Sequence, residues 1–586
     1  MKLPALKRIY TSRSMVDVFK GYNHNLRIGD GEFYEMTNLT SDDYPVLSPR
    51  RKRGVYVPGG DLATPTSPTG MIAKDSLCYV DGSKFIINGY EIDMGLSDEP
   101  KELISMGAYV IIMPDKKYIN TADLADNGSI EASFATIASV TFELCKIDGA
   151  GYGEMTVGST APTSPSNMAL WLDTASTPNV LKQYSTTSAM WTSVATTYIK
   201  ISSNGIGIPF EEGDGVTISG IKSEELADLN NTMVIHSKGD DYIVVSGILN
   251  EVYTQTVAQG AISVVRKMPN MDFIIESGNR LWGCRYGLAL NGQVVNEIYA
   301  SKLGDFKNWN AFASISTDSY VATVGTDGQF TGAITHNGYP LFFKENCVHK
   351  VYGNYPANYQ IQTTACRGVQ NGCEKSLAIV NETLYYKSRS SVCAYDGSLP
   401  VEISSALGDI SYSDAVAGSL GNKYYISMKD DNDEYNLFVY DTKKGMWHRE
   451  DDTQVTGFCN CRGELYYIDY ADKQIKTVRG TGRVDTNAVQ WEAVTGIIGT
   501  DTPDKKYVSR VDVRLSLNLG TKVTIYAEYD SSGAWEHILT MDGTSLRTFA
   551  VPVRPKRCDH LRLKIAGVGD VKIFSITKTI AQGSDM

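Results

Sequence analysis

The sequence predicts an all-β chain: a β-propeller with an inserted β-rich domain and a C-terminal β-sandwich. Five short aromatic-rich segments recur in the second half, and they begin at Leu281, Leu341, Leu384, Tyr424 and Leu465. The last three begin about 40 residues apart, which is the spacing of propeller blades. The 53 glycines and 35 tyrosines suit many turns between half-exposed strands.

Residues 1–60 are predicted to form an extended N-terminal arm. Two prolines, Pro45 and Pro49, exclude a helix near its end, because each restricts the residue before it. A run of four cations follows, and such a run is either a solvated turn or a contact with an acidic neighbour or a nucleic acid. These candidate assembly or ligand contacts are Arg50, Arg51, Lys52 and Arg53.

Residues 61–145 are predicted to form the first propeller blades. A linker rich in Pro, Gly, Thr and Ser covers 58–70. After it, Leu77–Val80 and Lys84–Ile87 flank an Asp-Gly turn, and Tyr109–Met113 begins a similar unit. An apolar strand, a turn and a second strand form the same unit that recurs later in the chain.

Residues 146–268 interrupt this rhythm and are predicted to form an inserted β-rich domain. The stretch 155–195 is rich in Ser, Thr and Pro, and it contains Trp171 and Trp191. Inserts of this size normally join a host domain at a loop where the two ends lie close together. The two tryptophans either pack internally or stack against a carbohydrate ligand.

The remaining blades are predicted over 269–482 and the sandwich over 483–586. Trp309 and Trp447 each follow a strand and a polar turn, a position in which a propeller packs an indole between blades. Near the C-terminus, Val511–Leu517 and Leu561–Ile565 alternate apolar and polar residues. Such alternation is typical of antiparallel strands with one buried face.

The net charge and the spacing of the cysteines limit the classes of function that the sequence supports. The net charge of −12 argues against a basic nucleic-acid groove, although an acidic wall would let DNA slide past. No window approaches 18 apolar residues and the first residues lack a signal-peptide core, so we expect no membrane span and folding in a cytoplasm. The ten cysteines lack C-x-x-C spacing, and we predict no metal and no cofactor.

Catalytic motifs are also missing from the sequence. There is no H-E-x-x-H, phosphate-binding loop or G-x-S-x-G element, and the acidic stretch Asp430–Glu434 suits a hairpin turn better than a calcium loop. A propeller glycosidase needs paired carboxylates, but the 67 acidic residues single out no pair. We therefore predict that the chain is not an enzyme, with a glycosidase as the lesser alternative.

A series of short motifs runs in order along residues 279–405. It comprises Asn279–Gly283, Ile298–Lys302, Asp305 to Trp309, Gly332–Ile334, Leu341–Lys344, Cys366–Val369, Leu384–Tyr386 and Tyr395–Gly397. In order and rhythm this series resembles the propeller of bacteriophage tail hub or nozzle proteins, the head-to-tail stabilisation proteins of short-tailed phages. Met36 to Arg50 is similar to the opening arm of phage structural proteins, and Pro162 to Thr174 to phage tail modules.

The resemblance implies a structural virion protein. In the family, typically six copies form a ring that continues the portal channel, retains packaged DNA and lets it pass on infection. The implied partners are further copies of the chain, portal, adaptor and other tail proteins, and DNA bound without sequence specificity. The implied location is the virion tail, assembled in the bacterial cytoplasm. The alternative is a tail protein that binds host-surface carbohydrate at Trp171, Trp191 or a sandwich loop.

Overall fold

The computed structural model describes residues 11–59, 62–289, 292–499, 506–542, 547–551 and 558–582. The all-β prediction is confirmed, because the helices of these residues are single 3-10 turns. These turns are Ala227–Leu229, Val257–Gln259, Pro356–Asn358, Glu374–Ser376 and Ser405–Leu407. The chain forms two compact units, one of residues 1–103, 342–348 and 363–586 and one of residues 104–341 and 349–362.

The first unit contains four sheets built like propeller blades, in which strands that follow each other in the chain lie side by side. Their strands are Pro68–Ala73, Leu77–Asp81, Lys84–Ile87 and Tyr90–Asp93 (the 68–93 sheet); Ala378–Val380, Thr383–Lys387, Val392–Tyr395 and Val401–Glu402 (the 378–402 sheet); Ser413–Leu420, Lys423–Lys429, Tyr435–Asp441 and Met446–Asp451 (the 413–451 sheet); and Val455–Cys461, Glu464–Asp469 and Ile475–Thr477 (the 455–477 sheet).

These four sheets pack through their first strands. Ala378–Val380 contacts Ser413–Leu420, which contacts Val455–Cys461, which in turn contacts Pro68–Ala73. Between the last two sheets lies an apolar cluster that includes Leu77, Cys459 and Ile475. Since one such sheet cannot bury its own apolar face, successive packing of first strands is the arrangement expected of propeller blades.

The second unit contains further sheets of the same kind. Their strands are Glu102–Met106, Tyr109–Met113, Lys117–Asn120 and Asn127–Ser129; Phe273–Glu276, Leu281–Leu288, Val294–Ala300 and Tyr320–Thr323; and Gly332–His336, Tyr339–Lys344, Cys347–Tyr352 and Gln360–Ala365. A few residues at the ends of these strands belong to the first unit. Ile111, Ile274 and Trp309 share one buried cluster. The burial of Trp309 confirms that its indole packs internally.

The inserted domain begins earlier than the sequence predicts. Val140–Cys145, assigned above to the first blades, lies in a five-stranded sheet with Ser237–Gly239, Tyr242–Ser246, Tyr198–Ser202 and Tyr253–Gln255. Ala132–Ala135 likewise pairs with Ser263–Arg266 in a sheet that also holds Gly215–Ser219 and Thr232–Val234. The predicted boundary at residue 146 is therefore corrected to about residue 132. Local alternation did not reveal this, because the pairing partners lie more than 50 residues away along the chain.

The predicted extended arm forms strands, and these strands lie in four sheets. Its strands are Thr11–Val16, Gly21–Tyr22, Glu32–Thr37, Leu39–Thr40, Ser48–Pro49 and Gly54–Val55. Tyr22 pairs with Trp447, and Gly54–Val55 pairs with both Ile475–Thr477 and Arg483–Val484. Gly21 has φ +83°, and a Cβ there would overlap the carbonyl oxygen of Trp447, so the close approach of the arm requires glycine.

The C-terminal region forms two antiparallel sheets, as the predicted sandwich requires. One sheet holds Lys506–Leu517, Arg547–Val551, Val571–Gln582 and the arm strand Thr11–Val16; the other holds Gln490–Thr495, Lys522–Tyr529, Glu536–Asp542 and Leu561–Val568. Val511, Val513, Leu515 and Leu517 are buried, as their alternation predicts. Through Gly21–Tyr22 and Glu32–Thr37, the second sheet continues into the 413–451 sheet as one ten-stranded sheet.

Replacing Trp447 with alanine should lower the free energy of unfolding of the chain by about 3–5 kcal/mol, since the indole is buried and would leave a cavity. The change also removes the 2.7 Å hydrogen bond that the indole donates to the Ile403 carbonyl. Urea denaturation followed by fluorescence measures the loss. Tyr470→Ala, at an exposed tyrosine of the same unit, is the control and should change the midpoint little.

Candidate functional site

The predicted cation run is divided by the fold into buried and exposed members. Arg50 and Arg53 turn inward, and their side chains are 15% and 12% exposed. Arg51 is exposed. Lys52 donates a 3.1 Å hydrogen bond to the carbonyl of Thr486. Of the two interpretations of this run, the contact with an acidic neighbour is the one realised by Arg50 and Arg53.

The inward arginines meet two carboxylates at the end of the 413–451 sheet. Arg53 places one guanidinium nitrogen 2.8 Å from Glu450 and the other 2.9 Å from Asp451. Arg50 reaches the same carboxylates at 3.7 and 3.3 Å and also donates a 2.7 Å hydrogen bond to Asn38. The guanidinium of Arg53 lies 5.4 Å from the ring centre of Tyr467. We call Arg50, Arg53, Glu450 and Asp451 the ion-pair quartet.

The quartet sets the ionisation of its members. Burial alone would raise the pKa of Asp451, but the guanidinium groups of Arg53 and then Arg50 outweigh burial and lower that pKa to about 2. Two cations and two anions therefore neutralise each other inside the protein. Removing a single partner would leave an uncompensated buried charge, which is far costlier than losing a surface ion pair.

The two tryptophans of the insert lie together in a small sheet formed by Met155–Gly158, Leu170–Asp173, Val180–Ser185 and Met190–Ser193. The rings of Trp171 and Trp191 are 5.5 Å apart. Trp171 is only 6% exposed, and its indole donates a 2.8 Å hydrogen bond to the carbonyl of Gly158. Trp171 therefore packs inside this sheet, whereas the half-buried Trp191 keeps an accessible surface beside the exposed Met190.

A carboxylate-lined cavity of about 390 Å³, which sequence reasoning did not find, lies at the ends of first strands in the first unit. Asp98, Glu374, Asp414 and Asp469 line it, together with Lys375 and Lys473. Asp414 pairs with Lys429 at 2.9 Å and Asp469 with Lys476 at 2.7 Å. Lys375 donates a 3.2 Å hydrogen bond to the carbonyl of Thr456. These side chains come together because sheets distant in sequence pack against each other, so no local sequence motif predicts the group.

Glu102 stands beside this cavity and has an unusual ionisation. Its side chain is exposed, so solvent limits the rise that the surrounding protein produces in the pKa of the carboxyl. Lys375 opposes the rise and Glu374 adds to it. A carboxyl whose pKa is raised beside a second carboxyl can act as a general acid.

Neither a metal-binding cluster nor a helix able to span a membrane occurs in the part of the chain that the structure describes. Over the described ranges, no three or more His, Cys, Asp or Glu side chains are grouped so as to hold a metal ion. The acidic stretch Asp430–Glu434 is a hairpin turn in which Asp430 accepts hydrogen bonds from the backbone amides of Asn432 and Glu434, as predicted. Among the residues described, none of the helices has the length and apolar character needed to span a bilayer.

Comparison with known proteins gives structural matches alone. No protein-family model and no curated protein match the chain. An exo-β-1,3-galactanase from Phanerochaete chrysosporium is 9% identical over 52% of this chain and 94% of that chain, with a TM-score of 0.22. Trypanosoma rangeli sialidase is 10% identical over 90% of this chain and 96% of that chain, with a TM-score of 0.21. A glycoside hydrolase family 43 arabinoxylan arabinofuranohydrolase from Bacillus subtilis is 9% identical over 52% and 94%, with a TM-score of 0.18.

Several of the solved structures that match the chain are glycoside hydrolases, which contradicts the prediction that it is not an enzyme. Identities of 9–10% and TM-scores of 0.18–0.22 are too low to transfer an activity or a substrate to this chain.

Asp451→Asn should destabilise the chain at neutral pH and much less in acid. The folded pKa of Asp451, about 2, lies below the ordinary value, so its contribution is complete above about pH 4 and disappears as the pH falls towards 2. The shift corresponds to about 2 kcal/mol, and stranding the arginines adds to the loss. Urea denaturation of both proteins from pH 7 to pH 3 measures the difference. A difference in unfolding free energy that stayed constant over this range would contradict the assigned role.

Proposed function

We propose that the chain is a structural protein of a bacteriophage tail, a hub or nozzle ring that continues the portal channel, retains packaged DNA and lets it pass on infection. The observation that carries the proposal is the arm. Met36 to Arg50, the segment similar to the opening arm of phage structural proteins, packs where the 413–451 sheet meets the C-terminal sheets: Leu39–Thr40 contacts Met446–Asp451 and Gln490–Thr495, and Ser48–Pro49 contacts Val571–Gln582. The segment that carries the resemblance thus lies at the junction of these sheets.

The physical properties of the first unit support this role. Closely packed antiparallel sheets, bound by the arm and by the buried ion-pair quartet, form a block that resists local unfolding. Rigid units can close into rings through heterologous contacts, in which one face meets a different face of the next copy. The net charge of −12 would let a DNA duplex pass without binding tightly.

The purified full-length chain, alone or mixed with the portal and adaptor proteins encoded beside it, should form a closed ring of one stoichiometry, six copies by the resemblance. Light scattering after size-exclusion chromatography gives the mass, and negative-stain microscopy gives the symmetry. Antibody labelling of virions should mark the tail. A chain that stays monomeric with those partners, and whose antibody marks no part of the virion, would refute the proposal.

A second function, carbohydrate hydrolysis, is favoured by one observation: Glu102, whose pKa is raised, interacts electrostatically with Glu374, which lines the carboxylate cavity. Glycoside hydrolysis uses a carboxyl with a raised pKa as the acid and a second, ionised carboxylate as the base or nucleophile. In this role Glu102 would protonate the leaving oxygen and Glu374 would act on the opposite side of the sugar. Trp191, with its accessible ring, is better placed than the packed Trp171 to contact a glycan.

Under this second function, the chain should release reducing sugar from bacterial surface polysaccharide, and Glu102→Gln and Glu374→Gln should each lower the rate at least 100-fold. The wild-type rate should fall as the pH rises above about 7, because Glu102 must be protonated to donate. Glu251→Gln, at an exposed acid of the second unit, is the control. Release that both variants retain would exclude these residues, and no release from any envelope fraction would exclude the function.

A further inference from the structure

We infer that a basic cavity in the first unit binds a phosphate-type oxyanion. The cavity has a volume of about 550 Å³ and lies between the arm and the turns at one end of the 413–451 sheet. Four cationic side chains on its rim define it: Arg51, Lys443, Lys444 and Arg479. This inference concerns a ligand of the folded chain and does not depend on the proposed tail function.

The carboxylates of this cavity are already occupied by other groups. Asp42 pairs with Lys423 at 2.6 Å. Asp441 accepts a 2.6 Å hydrogen bond from the hydroxyl of Ser41 and further bonds from the backbone amides of the turn that follows it. Glu450 belongs to the ion-pair quartet. The three acids that line the cavity are therefore already paired, and its lining holds six cations: Arg50, Arg51, Lys423, Lys443, Lys444 and Arg479.

Among the residues that the structure describes, the rim cations form no direct ion pair with a carboxylate; the pKa of Asp42 is lowered first by Lys423 and then, at longer range, by Arg51. The ammonium of Lys444 lies 4.6 Å from the ring centre of Tyr44, a contact that leaves its charge uncompensated. Arg51, Lys443 and Arg479 are exposed. In the described sequence ranges, none of these three side chains has an ion pair. Four like charges around one cavity repel each other, and an anion between them would relieve that repulsion.

The chemistry of the rim favours phosphate over a single carboxylate. Arginine offers a planar fork of donors and lysine a compact point charge, and together they are the usual ligands of phosphate oxygens. Thr40 and Ser41 also line the cavity, with their hydroxyls bonded to Lys423 and Asp441. A volume of about 550 Å³ admits a diphosphate or a short stretch of phosphodiester backbone. Both sources present the same tetrahedral oxyanion.

The cations of this cavity contrast with the net negative charge of the protein as a whole. A protein with 67 acidic and 55 basic residues repels polyanions over most of its surface. Binding of phosphate compounds should therefore depend on this one cavity. A variant that lacks the rim cations should bind phosphate compounds more weakly. A variant that lacks the same number of cations elsewhere should bind them as the wild type does.

The test uses the full-length chain and a triple variant, Arg51→Gln with Lys443→Gln and Arg479→Gln. All three side chains are exposed, so the variant should fold. The control is a second triple variant that removes the same charges at exposed positions of the same unit, Arg389→Gln with Arg462→Gln and Lys522→Gln. Isothermal titration with pyrophosphate measures affinity, and circular dichroism checks the fold.

Wild type and control should bind one pyrophosphate per chain, and the rim variant should bind at least tenfold more weakly. A ten-nucleotide oligothymidylate forms the second arm. If it also binds through the rim and its affinity falls steeply with salt, the phosphate comes from nucleic acid; if only pyrophosphate binds, it comes from free phosphate compounds. The inference is wrong if neither probe binds, if the rim variant binds as well as wild type, or if only an oligoglutamate competes for the cavity.

Discussion

The ion-pair quartet is the interaction on which much of the first unit depends. Arg50 and Arg53 belong to the arm, whereas Glu450 and Asp451 end the last strand of the 413–451 sheet, and the partners lie about 400 residues apart in sequence. A buried pair stabilises only when both partners and their hydrogen bonds are present. The quartet meets most of this condition, since Asn38 and Thr453 accept further bonds from the arginines, although Nε of Arg53 is buried without a partner. The arm is thereby held at one position between the sheets.

Holding the arm at this position determines which surfaces are available for function. The arm strand Gly54–Val55 completes the 455–477 sheet, and Glu32–Thr37 joins the 413–451 sheet to the C-terminal sheets. Because Arg50 and Arg53 turn inward, Arg51 faces the basic cavity. In this short segment, Arg50 and Arg53 are packed inside the unit, whereas Arg51 presents its charge at the cavity. Adjacent cations that look alike in the sequence therefore have two separate roles in the fold.

The carboxylate cavity beside Glu102 and the basic cavity beside Arg51 show opposite uses of charge within one unit. Beside Glu102, the neighbouring Glu374 favours the neutral acid, whereas on the rim of the basic cavity exposed cations stay charged. The matching glycoside hydrolase structures do not decide between a structural and a catalytic role. That decision depends on the chemistry of these two cavities and on the assembly state of the chain.

The sequence by itself determined the strands and the faces that they bury, because alternation and turn residues act over a few positions. The aromatic segments at Leu384, Tyr424 and Leu465, the strand Val511–Leu517 and the buried Trp447 were all predictable in this way. Tertiary structure alone decided that Val140–Cys145 belongs to the insert, that Trp171 is packed while Trp191 is accessible, and that Glu102 approaches Glu374. Each depends on partners distant in sequence, and local patterns carry no information about which distant strands or charges will meet.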